Sequence, residues 1–227
     1  MRLTKTQVAV ILSGVYIFLQ MAADIAATKV IVLGRLVMDA GIIYAFTFTW
    51  RDVIHKQLGK KAAQTAIILA GIINIIMALY FQFAVMLPPE PVWGASFWNA
   101  TSLMVGTNEA SRGAQAAWEF IFGLIPRIVI ASIIAEVVSE LIDTEVYQWW
   151  TTGFGKKKPQ WLRVIISNSI SIPIDSIIFP AIAFSGVLSI DVLWIMVLSN
   201  ILVKAIVTIL SFWMIYLVPE KKMYVGE

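Results

Sequence analysis

The chain has 227 residues, no cysteine and one histidine, with 59% hydrophobic and 14% charged residues and a formal net charge of +3. Soluble domains carry roughly 45–50% apolar and about 25% charged residues, so the apolar surplus, which falls in long blocks, marks lipid-facing helices and a polytopic membrane protein. The absence of cysteine excludes a disulfide scaffold, thiolate metal sites, iron–sulfur clusters and a thiol nucleophile, and in a membrane chain a basic excess reports orientation before it reports nucleic-acid binding.

At about 20 apolar residues per span, the pattern predicts six transmembrane helices, at 8–27, 33–50, 62–87, 120–142, 164–188 and 192–218. The first block lies behind Arg2 and Lys5, as a signal peptide would, but its length and the five spans that follow favour a retained helix. Ser185-Gly186 and the stretch from Ser189 to Asp191 supply the turn that separates the last two spans. The expected fold is all-α, a single transmembrane domain over 1–227.

Basic residues set the expected orientation. Arg2, Lys5, Arg51, Lys56, Lys60, Lys61, Lys156, Lys157, Lys158, Arg163, Lys221 and Lys222 fall on one side, twelve of the seventeen. Lys29, Arg35 and Arg112 fall on the other, and Arg127 and Lys204 lie inside spans. The positive-inside rule then places both termini in the cytoplasm, which an even number of spans requires. The connection from 88 to about 119 lies outside and carries Trp93, Phe97 and Trp98, either an interfacial aromatic belt or a lid over an outward-facing pocket.

Charges at membrane depth are costly and mark function. Asp175 in span five and Lys204 in span six lie about 14–15 residues from the turn near Ser189, roughly 21–23 Å along each helix, so they sit at matching depth on adjacent antiparallel helices. Ser167, Ser171 and Asp175 recur at i, i+4 and i+8, with Asn168 alongside, as one polar stripe. Pro173 beside Asp175 removes a helical donor and frees a carbonyl, which membrane helices tolerate next to protein or a watery cavity. Arg127 opens the deep part of span four; Glu136, Glu140 and Asp143 follow toward the cytoplasm, the last two near the interface. Gln20 and Asp24 in span one and Asn74 in span three are further polar groups at depth. Ala22, Ala23, Ala26 and Ala27 give span one a small-residue face for helix contact.

Enzyme signatures are missing: there is no P-loop, no His-Glu-x-x-His and no Gly-x-Ser-x-Gly. His55, beside Arg51 and Lys56 on an expected cytoplasmic loop, reads as solvated. A membrane-embedded enzyme using Asp175 and Lys204 as an acid–base pair lacks an accompanying nucleophile or metal site, so the chain is expected not to be an enzyme.

Three blocks resemble the queuosine precursor transporter family, which belongs with the vitamin-uptake-type membrane proteins. The first runs from Thr47-Phe48-Thr49-Trp50-Arg51-Asp52 to Leu58-Gly59-Lys60-Lys61-Ala62. The second is Pro126-Arg127-Ile128 through Ala131-Ser132 to Asp143 and Tyr147. The third is Trp161-Leu162-Arg163, Ser167, Asp175-Ser176, Phe179 and Ala183-Phe184, with Lys204 and Tyr216 matching the last helix. Departures include Ile172 where a Gln is frequent, Val164 where an Asn follows the Arg, and Ser211 and Trp213 in place of an Asp and a Pro. The resemblance implies a fold similar to the energy-coupling-factor substrate-binding subunits, residence in the plasma (inner) membrane, and import of a 7-deazaguanine, chiefly 7-cyano-7-deazaguanine, for queuosine biosynthesis and tRNA modification. No cofactor and no nucleic-acid partner are implied. An alternative within the resemblance is a binding subunit that needs a separate energising partner.

A guanine-like edge offers an N–H and an amino group side by side, which one carboxylate can accept with both oxygens. Asp175 is the candidate for that role, with Lys204 or Arg127 donating to the ring carbonyl. Asn168 and Ser171 would complete the polar shell and Phe179, or a Trp from the outer connection, would stack on the base, with Gln20, Asp24, Asn74 and Glu136 as secondary candidates.

Overall fold

A computed structural model of the chain describes residues 4–89, 107–153 and 159–217. Helix α1 (Lys5–Ala26) starts at a Thr4–Gln7 capping box, in which each side chain satisfies a backbone N–H that the first turn leaves open. It is followed by a hairpin of β1 (Val30–Leu33) and β2 (Leu36–Asp39), paired antiparallel with Val30 opposite Asp39 and Leu33 opposite Leu36. Gly34, at φ 63°, takes the positive angle that the two-residue turn demands.

A short 3-10 turn (Ile42–Tyr44) leads into α2 (Ala45–Leu58), and α3 (Lys60–Met86) follows directly after Gly59. The remaining helices are α4 (Thr107–Phe122), α5 (Ile125–Thr152), α6 (Gln160–Phe184) and α7 (Ile190–Ser211), the last ending in a 3-10 turn (Phe212–Leu217). Helix α5 is central, packed against α6 on one side and α3 on the other, while α7 packs on α6, α2 and the hairpin.

Among the described residues five stretches are long and apolar enough to cross a membrane: Lys5–Ala26, Lys60–Met86, Ala114–Trp150, Trp161–Phe184 and Ile190–Tyr216. The distribution of polarity is inverted relative to a soluble bundle. Leu79 and Leu198 are 66% and 65% exposed, in rows with Ile72, Ile76, Leu202 and Ile209, whereas Gln20, Arg51, Glu136, Glu140 and Asp143 are wholly buried. Such a surface is at home in hydrocarbon, where the polar groups must find partners inside the bundle.

The stretch expected as the second span is not one helix. Residues 33–50 are shared among the hairpin, the 3-10 turn and the first part of α2, so the fold carries a small sheet that an all-α expectation omits. At 1.5 Å per residue, the 14 residues of α2 cover about 21 Å, short of the roughly 30 Å hydrocarbon core. The fourth span also shifts: α5 begins at Ile125, with Pro126 in its first turn, and runs ten residues beyond the expected end at 142. Charge misled the boundary there, because Glu140, Asp143 and Thr144 are buried within the bundle instead of lying at an interface. His55, expected in solvent, is 4% exposed; its Nε2 lies 3.0 Å from Gln148 Oε1 and its ring 4.6 Å from that of Tyr147. Trp93, Phe97 and Trp98 lie outside the described residues.

Gly41 is where the hairpin meets α1. A Cβ added there would stand 2.8 Å from the Ala23 carbonyl oxygen and 2.8 Å from Asp39 Oδ1. Gly41→Ala should therefore lower the melting temperature in detergent, since overpacking of this kind costs about 1–3 kcal/mol. Gly14→Ala, where a Cβ meets nothing within 4 Å, should leave it unchanged or raised, as a helical glycine is worse than alanine by about 1 kcal/mol.

Candidate functional site

Beneath the hairpin a cavity opens between α1, the start of α2, α5, α6 and α7. Its walls enclose about 500 Å³ of space, the open mouth included. The apolar lining comes from Ala23, Ala27, Met38, Ile42, Phe179 and Val203, and the polar lining from Asp24, Asp39, Tyr44, Ser132, Asp175, Asn200 and Lys204.

Asp175 and Lys204 form an ion pair across α6 and α7, as their matched depth requires. Tyr44 completes the group: its hydroxyl donates to Asp175 Oδ1 at 2.9 Å, and the Lys204 ammonium lies 4.9 Å from its ring centroid, within cation–π range. Both carboxylate oxygens are thus held, but each keeps a further lone pair. The plane of the carboxylate is fixed before any ligand arrives.

Asp39, from the end of β2, is tied down separately. Its Oδ1 accepts from the Gly41 N–H at 2.9 Å and its Oδ2 from Asn200 Nδ2 at 3.4 Å. A bond from the Val37 N–H to Ser199 Oγ at 3.2 Å fixes β2 against α7. Three carboxyl groups and one ammonium therefore face the cavity.

From the cavity floor a ladder of polar side chains descends between α1 and α5. Asp24, Gln20 and Tyr16 succeed one another at four-residue intervals on α1; Ser132, Glu136 and Glu140 do the same on α5, and all six are buried. Four residues are about 6 Å of helix, so the two stripes run in step. Asn74 of α3 donates to Asp24 Oδ2 at 2.8 Å. Gln20 Nε2 donates to Glu136 Oε1 at 2.7 Å, and the Tyr16 hydroxyl bonds both Glu136 (3.2 Å) and Glu140.

At the foot lies Arg51 of α2, wholly buried. It pairs with Asp143, with Asp52 at 3.0 Å and with Glu140 at 3.8 Å. Ser171 Oγ donates to Asp143 Oδ1 at 2.8 Å, and Thr47 Oγ1 to Glu140 Oε1 at 3.3 Å.

Of the residues singled out in the sequence, Asp175, Lys204, Phe179 and Asp24 line the cavity. The others lie elsewhere. Ser171 belongs to the Arg51 cluster at the foot of the ladder. Asn168 is buried one turn before Ser171, and neither polar atom of its amide has a partner among the described residues. Gln20 and Glu136 form the rung below the cavity floor, and Asn74 stands behind Asp24. Arg127 is exposed at the far end of α6, where its guanidinium donates to the carbonyls of Ile182 and Ser185, a favourable place for a cation at a helix C-terminus.

Asp39 and Tyr44 were hidden inside a stretch read as a lipid-crossing helix. Asn200 was within reach, since Asn200, Lys204 and Thr208 repeat at i, i+4 and i+8 and all three are buried. Ala23 and Ala27 of the small-residue face are used inward, as cavity wall. Among the described residues no group of three or more His, Cys, Asp or Glu is arranged to hold a metal ion.

This geometry can be set beside known proteins. No solved structure matches the chain. A curated relative from Bacillus subtilis (strain 168), named "Probable queuosine precursor transporter", is 28% identical over 207 residues, 91% of this chain and 81% of the relative. The sequence profile of the family described as "Putative vitamin uptake transporter" matches residues 39–218, from the last residue of the hairpin onward through α7 and thus through most of the cavity lining. The chain belongs to this vitamin uptake transporter family and is an integral membrane protein of the cell membrane.

Proposed function

We propose that the protein imports a 7-deazaguanine base, 7-cyano-7-deazaguanine above all, and that the cavity beneath the hairpin is where the base binds. The Asp175–Lys204–Tyr44 group carries this reading: a carboxylate and an ammonium buried at membrane depth, both facing an open cavity. Charge in that position faces a ligand pathway far more often than it faces lipid. The name of the Bacillus subtilis relative and the three blocks of resemblance support the choice of substrate.

The chemistry suits a guanine-like edge. Asp175 accepts from the ring N–H and the exocyclic amino group, while Lys204 or Asn200 donates to the ring carbonyl. Phe179 and Met38 offer apolar faces to the planar rings. Asp39 and Asp24 remain for the pyrrole side of the base, where a ring N–H needs an acceptor. Arg127, Asn168 and Ser171 have no part in this arrangement.

In the membrane, α2 together with the hairpin makes the sixth passage, both termini are cytoplasmic, and the cavity mouth opens outward. The chain has no cysteine, so single introduced cysteines report sidedness cleanly. A cysteine at Arg35, on the hairpin turn, should react with an impermeant maleimide only from outside, and one at Lys61 only from the cytoplasm. Labelling of both from one face would contradict the orientation.

Asp175 and Lys204 separate a binding role from a structural one. Removing one partner of a buried pair costs roughly 3–5 kcal/mol, whereas removing both can be nearly neutral. Asp175→Asn should therefore lower stability in detergent, and the double change with Lys204→Met should restore it. Uptake of the base in cells should remain lost in the double variant, because the reading group is gone. Near-normal uptake by the double variant would show that the pair only joins α6 to α7.

A further inference from the structure

Glu136 is not part of the cavity, yet it is among the most constrained groups in the protein. It is wholly buried, and among the described residues no cation pairs with it. The groups around it are mostly carboxyls. Helix α1 presents Asp24 and Tyr16, α5 itself presents Glu140 with Asp143 beyond, and α6 presents Asp175. The buried cations are engaged elsewhere: Arg51 of α2 by Asp143, Asp52 and Glu140, and Lys204 of α7 by Asp175. Helix α3 contributes only the neutral Asn74, bonded to Asp24.

Besides Asn74 Oδ1 behind Asp24, two acceptors here lack a donor among the described residues, Glu136 Oε2 and Gln20 Oε1, both on wholly buried side chains. They belong to residues already joined by the 2.7 Å bond from Gln20 Nε2 to Glu136 Oε1. A carboxylate and a primary amide meeting in this way leave two acceptors facing no hydrogen. One proton on Glu136 Oε2, donated to Gln20 Oε1, satisfies both. The result is a carboxylic acid and an amide joined by reciprocal hydrogen bonds, while Gln20 Nε2 also reaches the Tyr16 oxygen at 3.1 Å. Two buried acceptors without donors are costly, and a buried anion with no cation paired to it costs more.

We propose that Glu136, clamped by Gln20, is a proton-binding site, and that the α1–α5 ladder carries this proton between the cavity and the cytoplasmic end so that base uptake is coupled to proton entry. Asp24, on the cavity wall one turn above Gln20, takes a proton from the outward-facing cavity. Glu136 receives it on the next rung. When the Glu136 carboxyl turns over and gives its proton to the Tyr16 oxygen, Tyr16 gives its own to Glu140, to which its hydroxyl is already bonded. The phenol ends unchanged, and one proton has moved one helical turn. Glu140, beside Arg51 and Asp143, then releases it toward the cytoplasm. Each cycle moves one neutral base and one proton inward, hence one positive charge.

The coupling rests on the proposed substrate; the proton site does not, and the test treats them separately. First, the purified protein is titrated by infrared difference spectroscopy, reading the C=O stretch of protonated carboxyls. Wild type should show such a band persisting at neutral pH, and Glu136→Gln should lose it. If Glu136→Gln does not fold, Gln20→Leu serves: removing the amide bonded to Glu136 should shift the frequency of the band, and an unshifted band overturns the site. A neutral-pH band unaffected by Glu136→Gln, or no band in wild type, overturns the proton site.

Second, wild type in liposomes is given labelled 7-cyano-7-deazaguanine with an inward proton gradient, an inward sodium gradient or neither, and a trapped pH dye reports proton entry. Accumulation with the proton gradient alone, accompanied by internal acidification and slowed in Tyr16→Phe, is expected. Uptake without acidification, or driven by sodium, overturns the coupling and leaves the substrate reading standing. If the base neither binds nor enters, the substrate reading fails and with it the coupling, while the infrared result alone decides the proton site.

Discussion

The requirement that shapes this molecule is that every charge drawn below the membrane surface must be answered from inside the bundle, and Arg51 is where it presses hardest. Its guanidinium is wholly buried and is shared among Asp143 of α5, Glu140 of α5 and Asp52 of its own helix. Neither α2 nor α5 could hold those groups alone in hydrocarbon. The cluster locks α2 against α5, and Ser171 brings α6 to the same point through Asp143. A buried ion cluster is a poor source of net stability, because desolvation consumes most of what attraction returns. Its value here is geometric: it closes the bundle at one end and leaves the other end free to open.

The open end holds the cavity, and the hairpin supplies part of its polar lining. Two short strands replace the outer part of a helix, so the backbone approaches α1 closely at Gly41 and presents Asp39 and Tyr44 inward. Tyr44 meets Asp175 and Lys204, which by themselves would form a self-contained pair. With Tyr44 in place the pair is oriented toward the cavity. In the proposed binding role, groups held in this way need little reorganisation when a ligand enters, which is how a few polar contacts give affinity and selectivity. The ladder beneath joins the two ends, so the site and the Arg51 cluster are parts of one polar core.

Much of this was legible in the sequence, and the exceptions have physical causes. Long apolar blocks identify α1, α3, α6 and α7 within a few residues, because lipid contact demands unbroken apolar length. Counting back from the turn at Ser189 was enough to bring Asp175 and Lys204 together. The hairpin was not legible: its Val, Ile and Leu residues read equally well as a helix, and apolar runs of that length carry no periodicity that decides between the two. Asp39 and Tyr44 were lost with it. Gln20, Asp24, Asn74 and Glu136 stood out one by one as polar groups at depth, but pairing Gln20 with Glu136 across 116 positions is a tertiary fact that spacing does not contain. Arg127 misled in the opposite sense, since a cation near a span end can serve neighbouring helix carbonyls as readily as a ligand.

The central claim is that a cavity lined by Asp175, Asp39 and Lys204 reads the donor-rich edge of a guanine-like base. Equilibrium binding of 7-cyano-7-deazaguanine and of adenine to the purified protein tests it most directly. Adenine presents a lone pair where the guanine-like edge presents an N–H, which leaves a buried acceptor unpaired at a cost of about 1–3 kcal/mol, more when that acceptor is charged. The account predicts at least about tenfold weaker binding of adenine, a factor that corresponds to about 1.4 kcal/mol, with loss of the discrimination in Asp175→Asn. Equal binding of the two bases, or discrimination that survives Asp175→Asn, would contradict it.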